Sequence, residues 1–202
     1  TETTLEPGQL KSDFDQEPVL KRMEIQLKKS GIKTKNIKKS NLNWAVSNIK
    51  NITKDYINKK YILIFPFCSP KLVVKKWPYY SVLVSLLKSK YASKYEVVVA
   101  PGPKEIEESK LLNAKIILNK GKSLRIDELI SLIKNSSFVI SNDTGPAHIC
   151  THLNKNGLVL FGSHTSANKV SIASEKFKPI SVKNLNLLKV ETVMTEINKV
   201  LY

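Results

Sequence analysis

Arginine is nearly absent from this basic chain. Of its 33 Lys and Arg residues only Arg22 and Arg125 are arginine, leaving 31 lysines. Proteins that read nucleic acid favour Arg for bidentate contacts to guanine and phosphate. The formal charge of +16 therefore does not by itself mark a nucleic-acid-binding protein. Lys and Asn together make 47 of the 202 residues, a bias of composition, and most of the charge reads as solvated background. Cysteine is scarce as well. Cys68 and Cys150 lie far apart and fit no disulfide framework or zinc spacing, so a reducing, cytoplasmic compartment is expected. No run of 18 apolar residues occurs, which excludes a transmembrane helix. The first twenty residues are polar and net acidic, unlike a secretory signal. The chain begins with Thr rather than Met, and an excised piece of a longer chain is expected.

What is present suits one folded α/β domain with an appendage. At about 150 residues per domain, 202 residues suffice for one real core. A composition of 42% apolar and 25% charged residues excludes wholesale disorder. Residues 1–18 carry a net charge of −4 and residues 19–76 a net +13. Apolar spacing predicts a helix over Pro18–Ser30, stopped by Gly31, and a second over about Asn43–Ile57 with Trp44 on its apolar stripe. From Tyr61 short apolar runs alternate with helical stretches. Strands are predicted at 61–67, 95–100, 115–118, 137–141 and 158–161, with helices between them and a closing helix at 190–201. Such alternation predicts a parallel sheet covered on both faces.

The seven glycines are informative because they are few. Gly102, Gly145 and Gly162 each follow a predicted strand, where open α/β sheets bind ligands. The sharpest segment is Ser141-Asn142-Asp143-Thr144-Gly145-Pro146-Ala147-His148. It joins a strand to a helix whose exposed N–H groups attract an anion. The same residues would equally make a plain helix cap with a core His. Lys75 and Lys76, before Trp77-Pro78, stand beside another helix start and could neutralise a diphosphate, or could be background lysines. His148 and His152 have a spacing that can hold metal on a helix, but no Glu separates them as in metalloproteases, and neither a metal nor a cofactor is expected.

Together these segments resemble the donor half of the family 9 glycosyltransferases, the ADP-heptose:lipopolysaccharide heptosyltransferases. The family's Asp-Thr-Gly-x-x-His motif stands complete at Asp143–His148, and its Lys-x-Trp-Pro at Lys75–Pro78. Its Gly turn followed by Glu is matched by Pro101-Gly102-Pro103-Lys104-Glu105, and its Phe-Gly-Pro-Thr loop by Phe161-Gly162-Ser163-His164-Thr165. Val19–Gly31 resembles its interdomain helix, so the resemblance spans about residues 15–201. It implies a Rossmann-like parallel sheet with helices on both faces, like the C-terminal domain of a GT-B glycosyltransferase. Residues 1–60 would then be linker and interdomain helices, and residues 61–202 the nucleotide-sugar-binding domain. It further implies inverting, metal-independent transfer from an ADP-sugar to a glycan or lipopolysaccharide-core acceptor.

Roles follow residue by residue from the resemblance. Lys75 would meet the donor's phosphates or sugar, and Thr144 and Gly145 would hold the diphosphate with help from Ser69. Asp143 would bind sugar hydroxyls and Glu105 the ribose, with adenine along Gly121–Ile126. Lys75 and Asp143 are the catalytic candidates, and His148 would brace the motif loop. Two departures stand out. Cys68 replaces a Gly and would crowd the phosphate, and the Pro and Asp usual after Gly162 are missing, which leaves the donor sugar open. The family's acceptor site lies in an N-terminal domain for which this chain has no room. A separate acceptor domain, a non-catalytic nucleotide-binding role and peripheral contact of the basic 19–39 stretch with an anionic inner membrane are the further expectations. Nucleic acid, supported by charge alone with no binding motif, is not expected as a partner.

Overall fold

The computed structural model of the chain describes residues 5–35, 41–172 and 174–201. Two helices lead, α1 (Lys11–Gln16) and α2 (Val19–Lys29), followed by a short α3 (Lys50–Thr53). Strands and helices then alternate: β1 (Lys60–Phe65), α4 (Tyr80–Tyr91), β2 (Tyr95–Val99), α5 (Ile106–Ser109), β3 (Lys115–Ile116) and α6 (Ile126–Asn135). The second half continues with β4 (Phe138–Asn142), α7 (Gly145–His152), β5 (Gly157–Phe161), α8 (Ala167–Val170), β6 (Phe177–Ser181) and α9 (Val190–Asn198). All six strands pair in parallel, in the order β3-β2-β1-β4-β5-β6. The expected Rossmann-like α/β architecture is present.

Alternation along each strand divides the core in two, since successive side chains point to opposite faces. Ile62, Ile64, Val97, Val99 and Ile140 pack toward α4 and α9, among Leu83, Leu87, Val193 and Ile197. Leu63, Phe65, Val98, Val139 and Val159 pack toward α6 and α7, among Leu132, Ile133, Ala147 and Cys150. Both faces are therefore covered, and the central strands are apolar on both sides. The edge strands differ. β3 has two residues, and β6 (FKPIS) is mostly exposed. No apolar run marks β6, so a sequence reading passes over it. Pro179 is tolerated there because an edge strand can leave one side unpaired.

The helix expected over 43–57 does not form as one piece. A 3-10 turn at Asn43–Ala45 and α3 are separated by extended backbone at Val46. The Asn48 carboxamide accepts the Lys50 N–H at 3.0 Å, a local bond that competes with helix propagation. Trp44, placed on an apolar stripe by its spacing, is 84% exposed. The segment nevertheless lies against the domain. Ser47 N–H donates to Ser131 Oγ at 2.8 Å, and Ile49 is buried in the α6 and α7 face of the core.

The acidic start offsets part of the charge of the basic stretch after it. α1 forms where no helix is expected and buries Phe14. Ion pairs join Arg22 to Asp15, Lys21 to Glu17, Lys28 to Glu24 and Lys29 to Glu6. The membrane-facing charge expected of 19–39 is thus partly spent on this chain's own acids, and 36–40 lie outside the described residues. No helix among the described residues is long and apolar enough to cross a membrane.

Gly157 shows how closely β4 and β5 approach. A Cβ there would lie 2.3 Å from the Val139 carbonyl oxygen and 2.9 Å from the Phe177 ring. Backbone cannot yield to such a contact without separating the strands. Gly157→Ala is expected to lose about 3 kcal/mol of stability, as overpacked cores do, which urea unfolding would measure.

Candidate active site at the carboxyl ends of the strands

The sheet changes direction between β1 and β4. From β1 the chain moves outward to β2 and β3, and from β4 it moves the other way to β5 and β6. The loops after β1 and β4 therefore diverge and leave a crevice at the carboxyl ends of the strands, the usual ligand position in open α/β sheets. Both sequence motifs fall there.

Asn142, the last residue of β4, ties the two loops together. It is completely buried. Its Nδ2 donates to the Pro66 carbonyl at 2.7 Å, and its Oδ1 accepts from Trp77 N–H and Tyr80 O–H, both at 3.4 Å. Trp77 is buried as well, its indole N–H donating to Leu188 O at 2.9 Å. Asn142 thus braces the loops through hydrogen bonds, whereas the His148 ring makes no hydrogen bond among the described residues. A buried Asn between Ser141 and Asp143 was the only signal in the sequence for this role.

Lys75 ends a 3-10 stretch, Pro70–Lys75, and Trp77 fixes the backbone just beyond it. Its Nζ donates to Asp143 Oδ2 at 2.6 Å, across 68 positions of sequence. Asp143 is 3% exposed. The same Oδ2 also faces His164 Nε2, at 3.1 Å, from the loop after β5. In the sequence His164 stands only as one member of the Phe161–Thr165 loop. Lys76 goes elsewhere. It pairs with Glu108 and lies over the Phe67 ring, on the far side of the loop, so the two lysines do not act together on one anion.

Thr144 caps α7 with extended backbone and makes no side-chain cap hydrogen bond. Its Oγ1 lies 3.4 Å from Ser141 Oγ and from Asn142 O. Gly145 opens the helix, Pro146 follows, and a Cβ on Gly145 would meet nothing within 4 Å. The helix N-terminus thus faces open space rather than the protein's own atoms.

That space is a cleft of about 490 Å³. Ser69 and Cys68 line one side, Gly102 and Glu105 another, and Thr144 and Gly145 a third. Ser123, Leu124, Arg125 and Ile126 close it, held by a turn in which Lys120 and Gly121 both have positive φ. The buried Glu128 carboxylate secures this wall by accepting from Arg125 N–H and Asn119 Nδ2, each at 2.8 Å. Glu105 Oε2 accepts the Gly102 N–H at 2.7 Å, and burial pushes its carboxyl above the ordinary carboxylate value. Four of the seven expected site residues, Ser69, Glu105, Thr144 and Gly145, line this cleft, and Asp143, paired with Lys75, is the residue just before Thr144. His148 is not among the residues that line it.

A second, larger cleft of about 730 Å³ lies on the other side of the Phe67 loop, lined by Val73, Val74, Lys76, Trp77, Leu111 and Lys183. No residue of the 143–148 motif lines it. The smaller cleft joins a helix start, a carboxylate and a Gly turn, groups that can meet an anion and hydroxyls. Among the described residues no group of three His, Cys, Asp or Glu side chains is arranged to hold a metal ion.

Two predictions follow from these side chains. Asn142→Ala strands the Pro66 carbonyl, the Trp77 N–H and the Tyr80 O–H, all in the β1–α4 connection, and is expected to cost about 2 kcal/mol, as buried hydrogen-bond losses do, measured by urea unfolding. Burial also pushes the His148 and His152 imidazoles below their ordinary value, the nearby Asp143 charge opposing the effect at His148. The unfolded chain then binds protons more readily than the folded one. This contribution is complete above about pH 6.5, the ordinary His value, and is lost as pH falls below it. The drop in melting temperature between about pH 7.5 and pH 5.5 is expected to shrink in His148→Gln.

Comparison with known proteins comes down on one family. The family model for glycosyltransferase family 9 (heptosyltransferase) matches residues 7–197. Solved structures with the same fold include E. coli heptosyltransferase WaaC with ADP, at TM-score 0.67 and 18% identity, covering 91% of this chain and 57% of that one. E. coli ADP-heptose lps heptosyltransferase II follows at TM-score 0.60 and 19% identity, with 84% and 52% covered. A Listeria monocytogenes putative UDP-N-acetylglucosamine 2-epimerase matches at TM-score 0.52 and 17% identity, with 78% and 42% covered. The chain thus spans about half the length of these proteins. Curated protein sequences give no match.

Proposed function

This chain belongs to glycosyltransferase family 9, and we propose that it is the part that binds an ADP-sugar for transfer to a glycan or lipopolysaccharide-core acceptor. One observation carries the reading. Lys75 and Asp143, from the loops after β1 and β4, meet at 2.6 Å beside an unobstructed helix start that opens into the cleft.

Adenosine occupies the cleft against Leu124 and Ile126, with the ribose hydroxyls on Glu105. One Glu105 oxygen is already taken by the Gly102 N–H, and the other serves the ribose. The diphosphate lies on the α7 start, where Gly145 N–H, the Thr144 hydroxyl and the helix dipole meet it. Ser69 adds a hydroxyl and Lys75 a positive charge. The sugar extends past Asp143, whose carboxylate accepts from its hydroxyls. A Cβ at Gly145 would enter the phosphate's place, which explains a Gly there better than the protein's own packing does.

Transfer is a displacement at the anomeric carbon. The acceptor oxygen forms the new C–O bond, and the bond to the β-phosphate oxygen breaks with its electron pair, leaving on the diphosphate. The configuration inverts. The acceptor's proton goes to a base in an N-terminal acceptor domain, outside this chain. Lys75 and the α7 N–H groups stabilise the charge growing on the leaving group, and no metal enters the step. At about half the relatives' length, the chain acts as a donor-binding half that completes its reaction with a partner domain. The alternative is a binding module without catalysis.

Calorimetry with ADP tests the reading. Lys75→Ala and Thr144→Ala are each expected to weaken binding by about ten-fold or more, the range of a lost charge-assisted hydrogen bond. Gly145→Ala should weaken ADP while leaving the melting temperature unchanged. No binding at millimolar ADP, or binding indifferent to all three variants, overturns it. Sugar transfer by the chain without any partner would instead overturn the half-enzyme reading.

A further inference from the structure

We propose that His164 is a positioning residue for Asp143, holding its carboxylate as a neutral Nε2–H donor so that Lys75 is free to turn toward a diphosphate. The inference rests on the donor-site reading above and adds a residue from a third loop.

The Asp143 carboxylate is nearly enclosed, and one of its oxygens receives two donors. Lys75 Nζ stands 2.6 Å from Oδ2 and His164 Nε2 stands 3.1 Å from it. The imidazole has little freedom. Its side chain is 9% exposed, and its ring stacks on Phe161 at 6.2 Å with an interplanar angle of 22°. Phe161 ends β5 within the core, so the ring's direction is set by the sheet.

The two ring nitrogens are in different situations. Nε2 faces a carboxylate oxygen, whereas Nδ1 is buried without a hydrogen-bond partner among the described residues. A neutral imidazole carries its proton on one nitrogen only. Facing an acceptor, Nε2 is the nitrogen that carries it, and Nδ1 is left as a bare lone pair. Protonating Nδ1 would bury an N–H with no acceptor. It would also place a second cation on a carboxylate that Lys75 already neutralises. A lone pair without a donor is the cheaper of the two defects.

This arrangement solves a problem in the proposed reaction. Lys75 has one ammonium group and two anions to serve. As it shifts toward the diphosphate, its bond to Asp143 lengthens. An enclosed carboxylate that lost its only fixed donor would rotate or draw in Lys75 again. His164 keeps Oδ2 in place, leaving the carboxylate oriented for sugar hydroxyls. The loops after β1, β4 and β5 thereby act on a single group.

The test combines calorimetry and nuclear magnetic resonance on the whole chain. ADP and ADP-heptose are titrated into wild type, His164→Ala, His164→Gln and Asp143→Asn. His164→Ala is expected to lower the affinity for ADP-heptose relative to ADP by about ten-fold, equivalent to one hydrogen bond. His164→Gln, whose amide N–H can reach the same oxygen, should recover most of that ratio. Long-range proton–nitrogen spectra of the wild-type chain should show His164 Nδ1 unprotonated and Nε2 protonated. A purely structural role would lower both affinities together and give no rescue by Gln, and that result overturns the proposal. A protonated Nδ1 also overturns it. Asp143→Asn binding ADP-heptose like wild type, or absence of ADP binding altogether, defeats the donor-site reading itself. The tautomer spectrum still decides the His164–Asp143 bond in that case.

Discussion

Everything at the carboxyl edge of this sheet depends on one buried amide. Asn142 spans the point where β1 and β4 send their chains in opposite directions, bonding Pro66 on one side and Trp77 and Tyr80 on the other. Divergent loops have no backbone ladder to hold them together, so a side chain must do it. With Pro66 and Trp77 fixed, the intervening 3-10 stretch can end only where it delivers Lys75 to Asp143. With β4 fixed, α7 begins where its first N–H groups face open space. The polar cluster is thus a consequence of a core contact made one residue before the motif begins.

The surplus of lysine looks different once placed. Lys21, Arg22, Lys28 and Lys29 of the basic stretch are answered by acids of residues 6–24, mostly as solvent-accessible pairs worth little individually. Lys76 is spent on Glu108. Lys75 differs from these because its partner is enclosed and because it stands at the helix start. A charge matters here through what surrounds it, and net charge carries no such information. For the same reason the fold alone does not choose a reaction. An epimerase and two heptosyltransferases share it with this chain, and the donor reading rests on the family match and on the residues in the cleft.

Most of the fold was legible because central parallel strands are buried on both faces and read as apolar runs. YILIFPF, YEVVVA and SFVIS declare themselves, and the helices between them follow from length and spacing. β6 was not legible, since an edge strand exposed along most of its length has no apolar pattern to show. Residues 43–57 misled for the opposite reason. Their apolar spacing fits a helix, but Asn48 bonds locally and Ile49 is captured by the core. In the site, residues carried by a motif could be named from the sequence, Ser69, Lys75 and Glu105 on other loops among them, but the contacts that tie the loops together could not. Asp143, Thr144 and Gly145 came from their run. His164 and Asn142 act through contacts 21 and 76 positions away, which no local pattern records.

Cys68 tests whether the departure from the family's glycine is compatible with an anion in the cleft. A side chain at that position takes up room, and a thiolate there would repel a diphosphate. Neither consequence is severe in this fold. The Cys68 thiol donates to the Leu72 carbonyl at 3.4 Å, which turns the sulfur toward its own 3-10 stretch. Burial pushes the thiol's pKa up, and the lysines at 75 and 76 only partly oppose this. The group therefore stays neutral at physiological pH. A neutral, internally bonded thiol narrows the cleft without adding charge to it. On the proposed donor-site reading, the phosphate's contacts shift from the first loop, where glycine would have offered backbone, toward the α7 start and Lys75. Those are the two features that the Asn142 bridge positions, so the loss of one glycine is absorbed by the contact on which the site already depends.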